Sequence, residues 1–373
     1  MFRLSNLIKS TLQEQKSRTL DGSIIIWNMT NRCNLLCHHC YSKASANEKE
    51  SLSLEDILKT IPKLKIANIN FVIFSGGEPL LRKDIFEIAQ CMKDNKIMTY
   101  LSTNGTYITQ KNAQKIIDTF NYIGISIDGI GEVHDYFRGQ KGSYDKSIEA
   151  IKTIQKLGGN AGIRFTITKE TESSFYDIFT LAEELNVNKI YISHLVYSGR
   201  GKENLEIDIS KEKRREYVNF MINKAFEYYE NGKDIDIVTG NMEMDAIMLL
   251  KEFEKKYPDF VNSLKNRLKS WGGNSAGKRL GNMDWNGFVK PDPFFPMTIG
   301  NYLEKDFDKI WLDDSNELLK KLREFPRNIK GKCSSCKYID ICNGGSRSRA
   351  YAISGDLWDE DPSCYLTLEE IKG

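Results

Sequence analysis

The chain has 373 residues, with 53 Lys and Arg against 51 Asp and Glu, a net charge of +2, and eight cysteines. That length suffices for one large or two ordinary domains with a substantial core, and the balanced charge, without blocks of one sign, excludes nucleic acid as an expected partner. No stretch approaches the roughly 18 consecutive apolar residues of a membrane span, so no membrane partner is expected either.

Residues 1–20 read as an N-terminal arm. Its opening, Met1-Phe2-Arg3-Leu4-Ser5-Asn6-Leu7-Ile8, is followed by a charged run to Arg18 and has neither the apolar core nor the cleavage site of a secretory signal, which predicts a cytoplasmic protein. Strand-like runs follow at Ser23-Trp27, Asn70-Phe74, Met98-Leu101, Tyr122-Ile127, Ala161-Ile167 and Lys189-Val196. Between them, Leu54-Ile66, Lys83-Asp94, Gln110-Phe120, Tyr144-Leu157 and Phe175-Leu185 carry apolar residues three and four apart. Strand then helix, six times over, predicts parallel strands joined by right-handed crossovers. Six units are too few for a closed eight-fold barrel. The fold class is therefore α/β, an open (β/α)6 partial barrel over 21–210.

From 211 to 272 the long charged amphipathic runs Lys211-Tyr229 and Met244-Trp271 read as a helical connector. Residues 273–373 hold a hairpin-like piece turning at Asn286-Gly287 and a terminal cysteine group, and read as a small second domain.

Seven of the eight cysteines fall into two sets, Cys33-x3-Cys37-x2-Cys40 just beyond the first strand and Cys333-x2-Cys336-x5-Cys342-x21-Cys364 near the end. In a reducing compartment such sets argue for metal or redox chemistry before disulfides. Three soft thiolates suit an iron–sulfur cluster with one iron left without a protein ligand; a zinc knuckle completed by His38 or His39 is the alternative. The terminal four are enough for one fully ligated cluster or for a structural zinc. Cys91 lies on the apolar face of a helix and reads as a core thiol.

Every other suspicious motif falls at the carboxyl end of a strand, where loops vary over a rigid sheet: Ser75-Gly76-Gly77-Glu78-Pro79, Ser102-Thr103-Asn104-Gly105, Ser126-Ile127-Asp128-Gly129, Arg164-Phe165-Thr166 and Ser193-His194-Leu195. An Arg among apolar strand residues is costly to bury unpaired, and a guanidinium fits a carboxylate bidentately, so Arg164 is a candidate for a carboxylate ligand; an internal salt bridge is the other reading. Ser126 and Asp128 have a second reading as turn or capping residues.

The run Cys33 to Cys40, followed after the second strand by Gly76-Gly77-Glu78-Pro79, resembles the radical S-adenosylmethionine (SAM) enzymes. The resemblance implies a [4Fe-4S] cluster held by Cys33, Cys37 and Cys40, with SAM chelating the open iron and yielding a 5′-deoxyadenosyl radical on reduction. It further implies that Glu78 and the backbone of Gly76 and Gly77 hold the SAM amino group, Ser126 the ribose, Arg164 the carboxylate, and Leu195 the adenine through its backbone, with Asp128 a further cofactor-binding candidate. His39 stands at the family's adenine-side position, with Tyr41 as a neighbour sharing that contact; Ser102 and Asn104 are further cofactor candidates. The terminal set resembles the SPASM or twitch extension of that family. It lacks an upstream cysteine pair, non-thiol residues standing there between Gly273 and Asp292, which implies one auxiliary [4Fe-4S] cluster on Cys333, Cys336, Cys342 and Cys364.

Nearly the whole length resembles the radical SAM enzymes of modified-tetrapyrrole synthesis, on Met1-Phe2-Arg3-Leu4, Ile26-Trp27-Asn28-Met29-Thr30, Leu101 to Thr106, Gly124 to Gly129, Ser193 to Gly201, Trp271-Gly272-Gly273-Asn274 and Asp361-Pro362-Ser363-Cys364-Tyr365. That implies the iron-containing tetrapyrrole 12,18-didecarboxysirohaem as substrate, losing propionate arms in the haem d1 branch or acetate arms in the alternative haem branch. A low-potential electron donor, ferredoxin or flavodoxin, is the implied partner. A carboxylate-rich substrate wants Arg at the barrel mouth, which makes Arg138 and Arg200 substrate candidates, with Arg347 and Arg349 behind them. His194 and Tyr197 are candidate catalytic residues. A peptide maturase of SPASM type and a two-cluster electron carrier are the other readings.

Overall fold

The computed structural model describes residues 1–15 and 22–372; residues 16–20, the end of the expected arm, lie outside them. The described strands are β1 (Phe2–Arg3), β2 (Ser23–Thr30), β3 (Ile69–Gly76), β4 (Met98–Thr103), β5 (Tyr122–Ser126), β6 (Ala161–Ile167), β7 (Lys189–His194), β8 (Asp236–Gly240), β9 (Leu280–Met283), β10 (Phe288–Lys290) and β11 (Gly300–Asn301). They form one sheet in the order β1-β8-β7-β6-β5-β4-β3-β2-β9-β10-β11. From β2 to β8 every pairing is parallel, each strand beside its predecessor, as right-handed crossovers require. This is the expected open α/β partial barrel, with all six expected strands in sequence order.

Four features differ from the sequence reading. A seventh parallel strand, β8, lies inside the segment read as a helical connector: Asp236-Ile237-Val238-Thr239-Gly240 is too short to stand out between two charged helices. The arm contributes β1, which pairs antiparallel with β8 (Phe2 opposite Thr239) and covers that edge. The run Met244-Trp271 is two helices, Asp245–Lys256 and Val261–Trp271, because Pro258 cannot continue the first. On the other edge β9 pairs parallel with β2, Ile24 opposite Leu280, so the sheet runs through the boundaries expected at 210 and 272.

Strand alternation assigns the two faces. Val72, Phe74, Leu101, Ile123, Ile125, Ile163, Phe165, Ile190, Ile192 and Ile237 point outward and are buried under the helices. The helix Leu54–Ile66 shows why: Ser53 caps its first turn by accepting from the Asp56 amide, and Ile57, Ile61 and Leu64 recur on the buried face. Cys91 packs against this core, partly buried. Ile73, Ser75, Ser102, Ser126, Arg164, Tyr191 and Ser193 share the inner face and line a cavity at the carboxyl ends of the strands. Among the described residues no helix is long and apolar enough to cross a membrane.

Candidate active site

After β2 the chain folds back on itself, the Cys33 amide donating to Ser45 O and the Ser45 amide to Asn31 O. Two outside elements then clamp the cysteine loop. The helix Glu132–Arg138 presents its last carbonyls to it, accepting from Leu36 N (3.2 Å, onto Arg138 O) and His38 N (3.0 Å, onto Phe137 O). Arg200 donates from its amide to Cys40 O (2.9 Å), from Nε to Cys37 O (2.7 Å) and from Nη1 to Ala44 O (3.1 Å). Gly199 has φ +58°, and a β-carbon there would collide with the carbonyls of Cys40 and Tyr41, so only glycine lets this loop approach.

The result brings Cys33, Cys37 and Cys40 onto one wall of the cavity. Burial pushes the Cys33 thiol up to about 12 and raises Cys37 also. Of the two histidines of the zinc alternative, His38 has Nδ1 2.7 Å from Glu170, and His39 is stacked flat on Phe137 with ring centroids 4.5 Å apart. Among the described residues no three His, Cys, Asp or Glu side chains are gathered as a single-ion site, whereas zinc at about 2.3 Å from each sulfur would require it. Three soft thiols on one cavity wall suit an iron–sulfur cluster.

Beside them the turn after β3 interlocks with the loop, Gly77 N donating to Thr30 O and Glu78 N to Arg32 O, both at 2.8 Å. Tyr41, Gly76, Gly77, Ser102, Asn104, Ser126, Arg164 and Leu195 all line the same cavity. Arg164 lies over the Tyr191 ring at 4.4 Å, and none of the described carboxylates forms an ion pair with it. Gly124 makes the room it needs, since a β-carbon there would stand 2.8 Å from Arg164 Cδ.

The radical SAM superfamily model matches residues 27–182. The pre-heme d1 synthase of Dinoroseobacter shibae is 36% identical over 378 residues, 99% of this chain and 93% of the relative. This chain belongs to the radical SAM superfamily. The Fe-coproporphyrin III synthase of Methanosarcina barkeri is 37% identical, over 93% of this chain and 89% of the relative. The structure of native anSMEcpe with bound AdoMet and Cp18Cys peptide has a TM-score of 0.70 at 19% identity, covering 92% of this chain and 93% of that one, a likeness of fold.

Membership of the radical SAM superfamily implies a [4Fe-4S] cluster and SAM, yet several residues expected to serve them are committed elsewhere. Glu78 does not line the cavity. Its carboxylate accepts from Leu80 N (3.1 Å), Thr103 Oγ1 (2.8 Å) and Asn104 N (2.8 Å), tying the turn after β3 to the loop after β4. Asp128 is fully buried and also off the cavity: it accepts from Thr166 N (2.6 Å) and pairs with Arg138. His194 edges the cavity, but alternation turns its ring to the helix side, with Nε2 3.4 Å from Asp245. Tyr197 lies away from the cavity, its hydroxyl bound to Asp208 (2.6 Å) and Ser363 (3.1 Å).

The arginines expected at the barrel mouth are largely buried and bonded to the protein. Arg138 and Arg200 touch the cavity; most of their donors go to the cysteine loop and to Asp128, while Arg138 Nε and Arg200 Nη2 are buried without a partner. Arg347 is fully buried and donates to the carbonyls of Leu357 and Asp359; Arg349, equally buried, pairs with Asp361 and donates to Leu195 O. The cavity's far wall was not anticipated as one surface: Asn241 and Glu243 beyond β8, with Asn274, Ser275 and Asp292 from around the hairpin. Asn274 Nδ2 donates to Glu243 Oε1 at 3.1 Å, leaving Glu243 Oε2 buried without a partner. The strand-end rule points to Glu243 once β8 is known.

In the terminal set Cys342 and Cys364 are buried, and Cys333 and Cys336 half-buried. Gly273, at φ +66°, packs its α-carbon against the Cys342 carbonyl, where any side chain would collide. Burial pushes the Cys333 thiol up to about 12. These four thiols have the softness and number for a fully ligated cluster.

Proposed function

We propose that this radical SAM enzyme acts on 12,18-didecarboxysirohaem and removes its propionate side chains on the route to haem d1. The observation that carries this is the 36% identity to a pre-heme d1 synthase across nearly the full length of both chains. A second reading, removal of acetate side chains from the same substrate, is favoured by the 37% identity to an Fe-coproporphyrin III synthase.

In this reading Cys33, Cys37 and Cys40 hold the SAM-binding cluster, and Cys333, Cys336, Cys342 and Cys364 hold an auxiliary [4Fe-4S] cluster in a domain spanning 273–373. The cluster and SAM together supply one-electron chemistry, the abstraction of hydrogen from an unactivated carbon. The chain's own residues bind and orient. Arg164 takes the SAM carboxylate and is kept in place by Tyr191; Gly76 and Gly77 bring backbone close to the methionine moiety; Ser126 faces the ribose; Leu195, Tyr41, Ser102 and Asn104 complete the pocket. The polar far wall faces the substrate. A low-potential donor, ferredoxin or flavodoxin, delivers the electron.

The test is anaerobic incubation of the reconstituted enzyme with SAM, a low-potential reductant and 12,18-didecarboxysirohaem, followed by mass spectrometry. Loss of propionate arms supports the haem d1 reading and loss of acetate arms the other. SAM cleavage with an unaltered tetrapyrrole would overturn both.

A further inference from the structure

The helix Glu132–Arg138 ends with its last side chain pressed against the cysteine loop at the edge of the cavity. Arg138 is 9% exposed, and its Nη1 donates to Cys37 Sγ at 3.5 Å. Its Nη2 pairs with Asp128, which is 0% exposed and is itself fixed by the Thr166 amide. A continuous line therefore runs from β6, through a buried carboxylate and a buried guanidinium, to one thiol of the first cysteine set.

We propose that the Arg138–Asp128 pair sets the reduction potential of the cluster on Cys33, Cys37 and Cys40, an inference that rests on the reading that these thiols hold it. Reduction adds one electron to the cluster and breaks no bond. The added negative charge is stabilised by an N–H donor and a cation at Cys37, so Arg138 makes the cluster easier to reduce. The buried carboxylate behind it opposes that effect, because little solvent intervenes to screen it. Arg138 is thus a positioning residue that acts through Cys37, and Asp128 moderates it. The pair determines how strong a reductant the enzyme demands.

The experiment is a redox titration of the anaerobically reconstituted full-length enzyme, followed by EPR on the reduced-cluster signal that changes when SAM is added. Wild type, Arg138→Gln, Arg138→Lys and Asp128→Asn are compared, with the iron content of each measured. The expected result is a midpoint below wild type in Arg138→Gln, above wild type in Asp128→Asn, and intermediate in Arg138→Lys. A purely structural role would alter iron content and leave the midpoint unmoved. Equal midpoints, or shifts of Arg138→Gln and Asp128→Asn in one direction at wild-type iron content, overturn the proposal. Should Arg138→Gln bind no iron, Asp128→Asn decides alone: a midpoint not above wild type overturns it. A wild-type enzyme with no SAM-responsive cluster would instead strike the cysteine assignment beneath it.

Discussion

Arg164 and Tyr191 sit opposite each other in the β6–β7 register, and the guanidinium carbon lies 4.4 Å from the ring centroid. An arginine stacked on a ring and free of a protein carboxylate is preorganised to receive one from a ligand. Replacing Arg164 by Ala removes a charge-assisted bidentate contact of about 1.5–3 kcal/mol, roughly a ten- to hundredfold rise in the SAM dissociation constant. Arg164→Lys recovers only part of this, because an ammonium lacks the fork. Equilibrium SAM binding to the anaerobic enzyme is the measurement; an unchanged constant would remove Arg164 from the cofactor site.

Gly240, at the end of β8, lies where a β-carbon would fall on the Tyr191 hydroxyl. Gly240→Ala forces the ring off Arg164 at an overpacking cost of about 1–3 kcal/mol. Both a lower melting temperature and weaker SAM binding are expected, whereas a change confined to melting would mean that Tyr191 does not organise the site.

Glu78 accepts from two backbone amides and one hydroxyl, the bonds from Thr103 Oγ1 and Asn104 N buried and that from Leu80 N partly so. Its removal in Glu78→Ala strands three donors, at about 1–3 kcal/mol for each one that water does not reach. Thermal unfolding should therefore show a large loss of stability even without iron or SAM. A variant that melts like wild type would return Glu78 to a direct role in binding.

Asp292 is buried at the far wall, and desolvation raises its pKa to about 6, from 3.8 in the unfolded chain. The folded state then binds more protons than the unfolded one between those values, so this group's contribution to stability falls as pH rises from about 4 to 6 and is level above. Asp292→Asn keeps the acceptor for the Phe294 amide and removes the penalty. The variant should gain stability over wild type at pH 7 by about 2–3 kcal/mol more than at pH 4. Melting curves across that range check it, and a constant difference would show that Asp292 is hydrated.

Replacing Cys333, Cys336 and Cys342 together by Ala should leave roughly half the iron of the wild type and retain the SAM-responsive EPR signal. Unchanged iron content would show that the terminal thiols hold no cluster.

Much of this was legible in the chain alone. Period-two strands, period-3.6 helices and the two cysteine spacings are local patterns, and they specified an open α/β barrel with soft-metal chemistry at one end. Placement at a strand's carboxyl end correctly brought Gly76, Gly77, Ser102, Ser126 and Arg164 together, because the pleat repeats every two residues and the loops follow from it. What each side chain does with its hydrogen bonds was decided only by tertiary contacts. Glu78 and Asp128 satisfy neighbouring loops, His194 falls one residue out of phase with the cavity face, and Arg138 and Arg200 grip the cysteine loop. A buried charge must find its partner somewhere in the folded molecule, and that partner lies tens or hundreds of residues away, as Asp245 does from His194 and Cys37 from Arg138. Periodicity reports which face a residue occupies; only packing reports what waits there.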